Sequence, residues 1–231
     1  MNAATLVLFA LSLVSSLAYL AREGRAPYPA RPTLKAGGVG PIAILAFLFA
    51  LAAPLSVAVP AFCLALALLL CTIGDFLLAL PDEERNFPRG LVAFLAGHFF
   101  FVAAFAPFVP LDIPSTPRLV AVGALVFVSW GMFRALKPGL GPLVVPVGAY
   151  FGVIGAMAAT AILADLGGPL VAVGAVTFIV SDVVIAVDKF RARVPAGPWL
   201  IWATYYLAIV LIAIGMLRFL RQTAEAGIVI G

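Results

Sequence analysis

Residues 61–80 read AFCLALALLLCTIGDFLLAL, and Asp75 is the one charge among them. A run of this length crosses hydrocarbon as a helix. It does not alternate apolar with polar residues, as the strands of a membrane barrel do. Helices and closed barrels are the only spanning solutions, because every backbone polar group must be satisfied without water. The same character extends over the chain, whose 231 residues are 65% hydrophobic and 10% charged. Soluble domains carry about 25% charge. The composition therefore predicts an all-α, polytopic integral membrane protein.

A second run, AVTFIVSDVVIAV at 175–187, carries Asp182. The chain has ten acidic residues, and the other eight fall in loops, at helix ends or in the tail. A carboxylate in hydrocarbon is costly, so it persists where it faces a protein interior or water and has a task there. Asp75 and Asp182 are thus the first candidates for chemistry.

Eight spans account for the chain, at about 2–21, 39–56, 58–80, 89–109, 118–136, 141–163, 168–187 and 197–219, forming a single transmembrane domain. Only Pro54 and Pro60 punctuate the second and third. The first run lacks the basic start of a secretory signal and is expected to remain a membrane helix. With both termini outside, the inner loops hold Arg22, Arg25, Arg31, Lys35, Arg85, Arg89, Arg134, Lys137, Lys189, Arg191 and Arg193. Arg118, Arg218 and Arg221 are left outside. Basic residues concentrate in cytoplasmic loops, which favours this orientation. The alanine- and arginine-rich composition and short loops suit a bacterial cytoplasmic membrane. The cations are loop residues and form no nucleic-acid patch. Cys63 and Cys71 lie on one span, too far apart along it to bridge, and read as small packing residues.

A faint repeat divides the chain. GVGPIAI at 38–44 resembles GLGPLVV at 139–145, and each is followed one span later by an aspartate after a small residue, Gly74-Asp75 and Ser181-Asp182. Two parallel four-helix halves would explain it. Both aspartate spans then run inward, and both carboxyl groups lie roughly 10 Å from the inner surface at 1.5 Å per residue. His98, the only histidine, and Tyr150 and Tyr205 fall at similar depths, about 12–14 Å. Separate helices would thereby place polar groups in one layer, predicting a polar cleft open to the cytoplasmic side.

Plainer readings stand beside these. A lone aspartate can be an acceptor between helices, and His98 an interhelical donor. Buried tyrosines mostly pack and find one partner for the hydroxyl. Ser181 can simply allow close helix approach. The aromatic GHFFFVAAF stretch at 97–105 is a packing or lipid-facing surface. One histidine cannot build a three-histidine zinc site, no nucleophile elbow accompanies Ser181, and no phosphate-cradling glycine loop is present. The reading calls for no metal and no cofactor.

An ordered set of segments carries a family resemblance. It comprises Gly74-Asp75 followed by Phe-Leu-Leu, NFPRGLVAFLAGHFFF at 86–101, YFGVIGAM at 150–157, FIVSDVVIAVDKF at 178–190 and TYYLAIVLI at 204–212. In this order the chain resembles the YhhN-like lysoplasmalogenase family of eight-helix membrane proteins. It departs from the family pattern where Lys35 is followed by Ala36 rather than proline, and where Ile209 replaces a glutamine. The resemblance implies hydrolysis of the vinyl-ether bond of lysoplasmalogens to a fatty aldehyde and a glycerophospho-base. A single-chain lysophospholipid would lay its tail among apolar helices, with its head group at the inner interface. Lys35, Arg31, Asn86 and Arg89 are candidates to meet its phosphate. Tyr150, Ser181 and Tyr205 are candidates to line the cleft.

Two carboxyl groups suit that reaction. Protonation of the vinyl carbon gives an oxocarbenium-like cation, water adds, and the hemiacetal collapses to aldehyde and alcohol. Desolvation disfavours a charged carboxylate, so one aspartate can deliver the proton. The second, ionised, can stabilise the cation and activate water, the division of labour seen in glycosidases. His98 is a further catalytic candidate. A proton-coupled small-molecule transporter is the alternative, since paired intramembrane aspartates also suit a proton relay. A membrane protein without turnover is the third reading. Oligomeric state and head group are open at this stage.

Overall fold

Proline and charge set the helix ends. The structure, a computed structural model, describes residues 3–24 and 28–227 and, within them, every side chain but that of Glu83. Eight helices occupy these residues: α1 (Ala3–Leu20), α2 (Arg31–Ala52), α3 (Leu55–Leu78), α4 (Glu83–Phe105), α5 (Thr116–Leu136), α6 (Val144–Leu163), α7 (Leu170–Phe190) and α8 (Gly197–Glu225). Each is long and apolar enough to cross a membrane. Asn2, where the first span was expected to begin, and Arg25 of the loop-charge pattern lie outside the described residues.

Several helices reach further than their apolar runs. The second starts at Arg31 rather than at 39, with Pro32 in its first turn, where a missing N–H costs nothing. Arg31 and Lys35 are thus helical rather than loop residues. The fourth starts at Glu83 rather than 89, which places Arg85, Asn86 and Arg89 in its opening turns. Pro54 caps α3, whereas Pro60 lies inside it and ends nothing. The repeated segments adopt different backbones. Residues 38–44 are mid-helix in α2, while 139–145 pass through two short 3-10 turns into α6.

The chain forms two compact units, one running to Ala104 and resuming from Met216, the other spanning Phe105–Gly215. In the first unit α2 packs on α1 and α3. Without water to drive helices together, close contact depends on small residues. Ser12 on α1 donates to the Gly38 carbonyl of α2 at 2.5 Å. Gly74 of α3 faces the Phe94 ring of α4, and a Cβ there would come within 2.6 Å of it.

In the second unit α6 packs on α5 and α7. Gly174 of α7 lies against α8, where a Cβ would meet Ile212 at 2.8 Å and the Ala208 carbonyl at 3.0 Å. Arg118, at the start of α5, pairs with Asp165 and donates to the Leu163 carbonyl at 3.1 Å, tying α5 to the end of α6. Asp188 accepts the Val194 N–H at 2.7 Å and shapes the turn between α7 and α8. Thr160, Thr177 and Thr204 return their hydroxyls to carbonyls four residues back, which satisfies these donors within their own helices.

Candidate functional site

Polar side chains gather in each unit around one aspartate. In the first, Asp75 sits one turn before the end of α3 and is buried, with 1% of its side chain exposed. The Nζ of Lys35 lies 3.9 Å from its Oδ1. Lys35 reaches it because α2 begins early enough to bring its second turn alongside the last turns of α3. One turn nearer the helix ends, Arg31 donates to the Ala79 carbonyl at 3.3 Å and to the Tyr19 hydroxyl at 3.4 Å. Both cations also lie over the Tyr19 ring, at 5.9 Å for Arg31 and 5.8 Å for Lys35. Glu23 faces Arg31 at 3.5 Å. The result is a continuous polar path of Glu23, Arg31, Tyr19, Lys35 and Asp75.

Asn86 is buried in the opening turns of α4. His98, fully buried on the same helix, has its Nδ1 2.6 Å from the Phe94 carbonyl and its ring edge-on to Phe101. A carbonyl only accepts, so Nδ1 carries the proton. Of the site candidates, Lys35 is placed beside Asp75.

In the second unit Tyr150 of α6 donates to Oδ2 of Asp182 on α7 at 2.6 Å. Ser181, adjacent in sequence, gives its hydroxyl to the Ile201 carbonyl of α8 at 3.1 Å. Tyr205 is buried in an aromatic group, perpendicular to Phe178 at 5.3 Å and tilted against Trp202 at 5.6 Å. Tyr206 stacks on Trp202. Ile209 is fully buried. A cleft of about 470 Å³ lies between α5 and α6, lined by Ser129, Trp130, Phe133, Phe151, Gly152 and Gly155 among others. None of the candidate polar residues lines it.

The sequence reading missed Glu23 and Tyr19. Their signal was spacing. Tyr19 and Glu23 are four residues apart, as are Arg31 and Lys35, and Asp75 and Ala79, so three consecutive helix ends present matched faces.

Residues 38–216 match the YhhN family. Over 151 residues the chain is 40% identical to a lysoplasmalogenase of Mycobacterium bovis, covering 64% of this chain and 58% of the relative. It is 34% identical to the bovine lysoplasmalogenase TMEM86A over 157 residues, covering 64% of this chain and 62% of that protein. It is 32% identical to the human lysoplasmalogenase TMEM86B over 152 residues, covering 66% and 62%. The chain thus spans about six tenths of the length of these relatives. No solved structure matches it.

Proposed function

The chain belongs to the YhhN family, and from that premise we propose that it is a membrane-embedded hydrolase of vinyl-ether lysophospholipids. The products are a fatty aldehyde and a glycerophospho-base. The names of its relatives support the substrate class. The observation that carries the reading is that both intramembrane aspartates are held by a polar partner from another helix, Asp75 by Lys35 and Asp182 by Tyr150.

The two environments differ in a way the chemistry can use. Asp75 stands beside an ammonium and serves as the carboxylate. Asp182 accepts a hydrogen bond from a neutral hydroxyl at Oδ2, which leaves Oδ1 to carry and deliver a proton. In the proposed reaction Asp182 protonates the vinyl carbon next to the alkyl chain, and the adjacent carbon becomes an oxocarbenium ion. The attacking water gives its proton back to the ionised Asp182, which restores the acid. The resulting hemiacetal expels the glycerol oxygen as an alcohol and leaves the aldehyde. The sum is one water consumed and one carbon–oxygen bond broken. His98, Asn86 and Tyr205 are assigned to supporting these groups or lining the lipid path, and Ser181 to holding α7 against α8 through Ile201. Both termini outside, and a site reached from the cytoplasmic face of a bacterial inner membrane, complete the reading.

Aldehyde release by the purified protein tests it. A lysoplasmalogen, its saturated ether analogue and an ester lysolipid are offered in separate reactions. Aldehyde from the vinyl ether alone supports the proposal; none from any lipid refutes it.

A further inference from the structure

The polar path of the first unit ends in a largely enclosed, half-satisfied carboxylate. Glu23 has about a tenth of its side chain exposed. Its Oε1 faces Nη2 of Arg31 at 3.5 Å, while Oε2 is buried with no hydrogen-bond partner among the described residues. A carboxylate oxygen shut away from water and from donors is costly, so the position is suited to receiving a donor. Arg31 keeps 28% of its side chain exposed, and a guanidinium is a strong donor to phosphate.

We infer that Glu23 and Arg31 form a head-group subsite for a phosphoethanolamine lysolipid, Glu23 taking the primary ammonium and Arg31 the phosphate. The inference rests on the hydrolase reading and names its head group. Two features select the ligand. The subsite pairs a fixed negative with a fixed positive group, and so matches a zwitterion whose charges have the reverse order. Oε2 needs a hydrogen, which an ammonium supplies and a quaternary choline does not.

The register of the helices agrees. Arg31 binds the carbonyl of Ala79, and Lys35, four residues later, meets Asp75, four residues earlier. At 1.5 Å per residue the proposed phosphate and Asp75 layers are separated by about 6 Å, one helical turn. A glycerol backbone separates phosphate from vinyl ether by a comparable reach. The head group at Glu23 and Arg31 therefore leaves the ether at the depth of Asp75.

The test measures binding of non-hydrolysable saturated 1-alkyl lysolipids to the full chain, with ethanolamine, choline or glycerol after the phosphate. The ethanolamine lipid should bind at least about tenfold more tightly than the other two, as a hydrogen bond to a charged group allows. Glu23→Gln should erase that preference, so that the three lipids bind within about twofold of one another. Glu23→Asp, which keeps the carboxylate, should retain most of it, and melting curves of both variants establish that they fold. Equal binding of ethanolamine and choline lipids by the native chain overturns the inference, as does an undiminished preference in folded Glu23→Gln. Because these lipids are not cleaved, an ethanolamine preference without aldehyde release from a lysoplasmalogen would sink the hydrolase reading and leave the subsite standing.

Discussion

The Nζ of Lys35 on α2 lies 3.9 Å from Oδ1 of Asp75 on α3, with both side chains almost wholly buried. Removing one partner of such a pair leaves an uncompensated charge and costs about 3–5 kcal/mol, whereas removing both is often close to neutral. Lys35→Met should therefore lower the melting temperature sharply and abolish turnover. The double variant Lys35→Met with Asp75→Asn should recover most of the stability and none of the activity. Thermal melts and aldehyde assays on the same preparations check both statements. Recovery of turnover in the double variant would show that the pair is structural.

Tyr150 gives Asp182 its hydrogen bond at 2.6 Å. Tyr150→Phe keeps the ring and deletes the donor. Its expected effect is a fall in turnover of about 10- to 100-fold, the range that one hydrogen bond to a charged or reacting group supplies. The fold should persist, since the hydroxyl and not the packing is lost. Steady-state kinetics on the purified variant decide it, and unchanged turnover counts against a catalytic role for Asp182.

The fold class and the eight spans were legible in the sequence because composition and run length alone dictate membrane helices. Asp75 and Asp182 were legible for the same reason, as charges where hydrocarbon tolerates few. The partners were not. Lys35 sits outside the apolar run, so hydropathy assigned it to a loop. The helix start at Arg31, signalled only by Pro32, is what brings it to Asp75. Glu23 and Tyr19 were missed because a charged residue beside a membrane span resembles ordinary anchoring until the helix faces are aligned. Ser181 was read as a candidate to line the cleft, and its hydroxyl donates to the Ile201 carbonyl of α8. Sequence adjacency carries no information about which neighbouring helix a side chain will meet.

Ser181→Ala separates those two roles. Loss of the bond to the Ile201 carbonyl should cost about 1 kcal/mol of stability, with KM and kcat little changed. A large rise in KM at unchanged melting temperature would assign Ser181 to the substrate.

Packing of α7 on α8 sets the frame around Asp182. Gly174→Val adds carbon where a Cβ alone would approach Ile212 at 2.8 Å and the Ala208 carbonyl at 3.0 Å, and overpacking of this kind costs about 1–3 kcal/mol. Gly152→Ala, on α6, meets nothing within 4 Å and should melt like the native chain. Comparative thermal unfolding in one detergent tests the contrast, and equal melting of the two variants would contradict the packing described.

The most direct test of the two-carboxylate account is aldehyde release from a lysoplasmalogen by the native chain, Asp75→Asn, Asp182→Asn and the double variant, each shown to be folded. Groups that act together in one reaction are strongly non-additive when removed. Each single substitution should cut turnover by at least about 100-fold, the scale of lost acid–base catalysis, and the double should be scarcely worse. Turnover near the native level in either single variant would contradict the account.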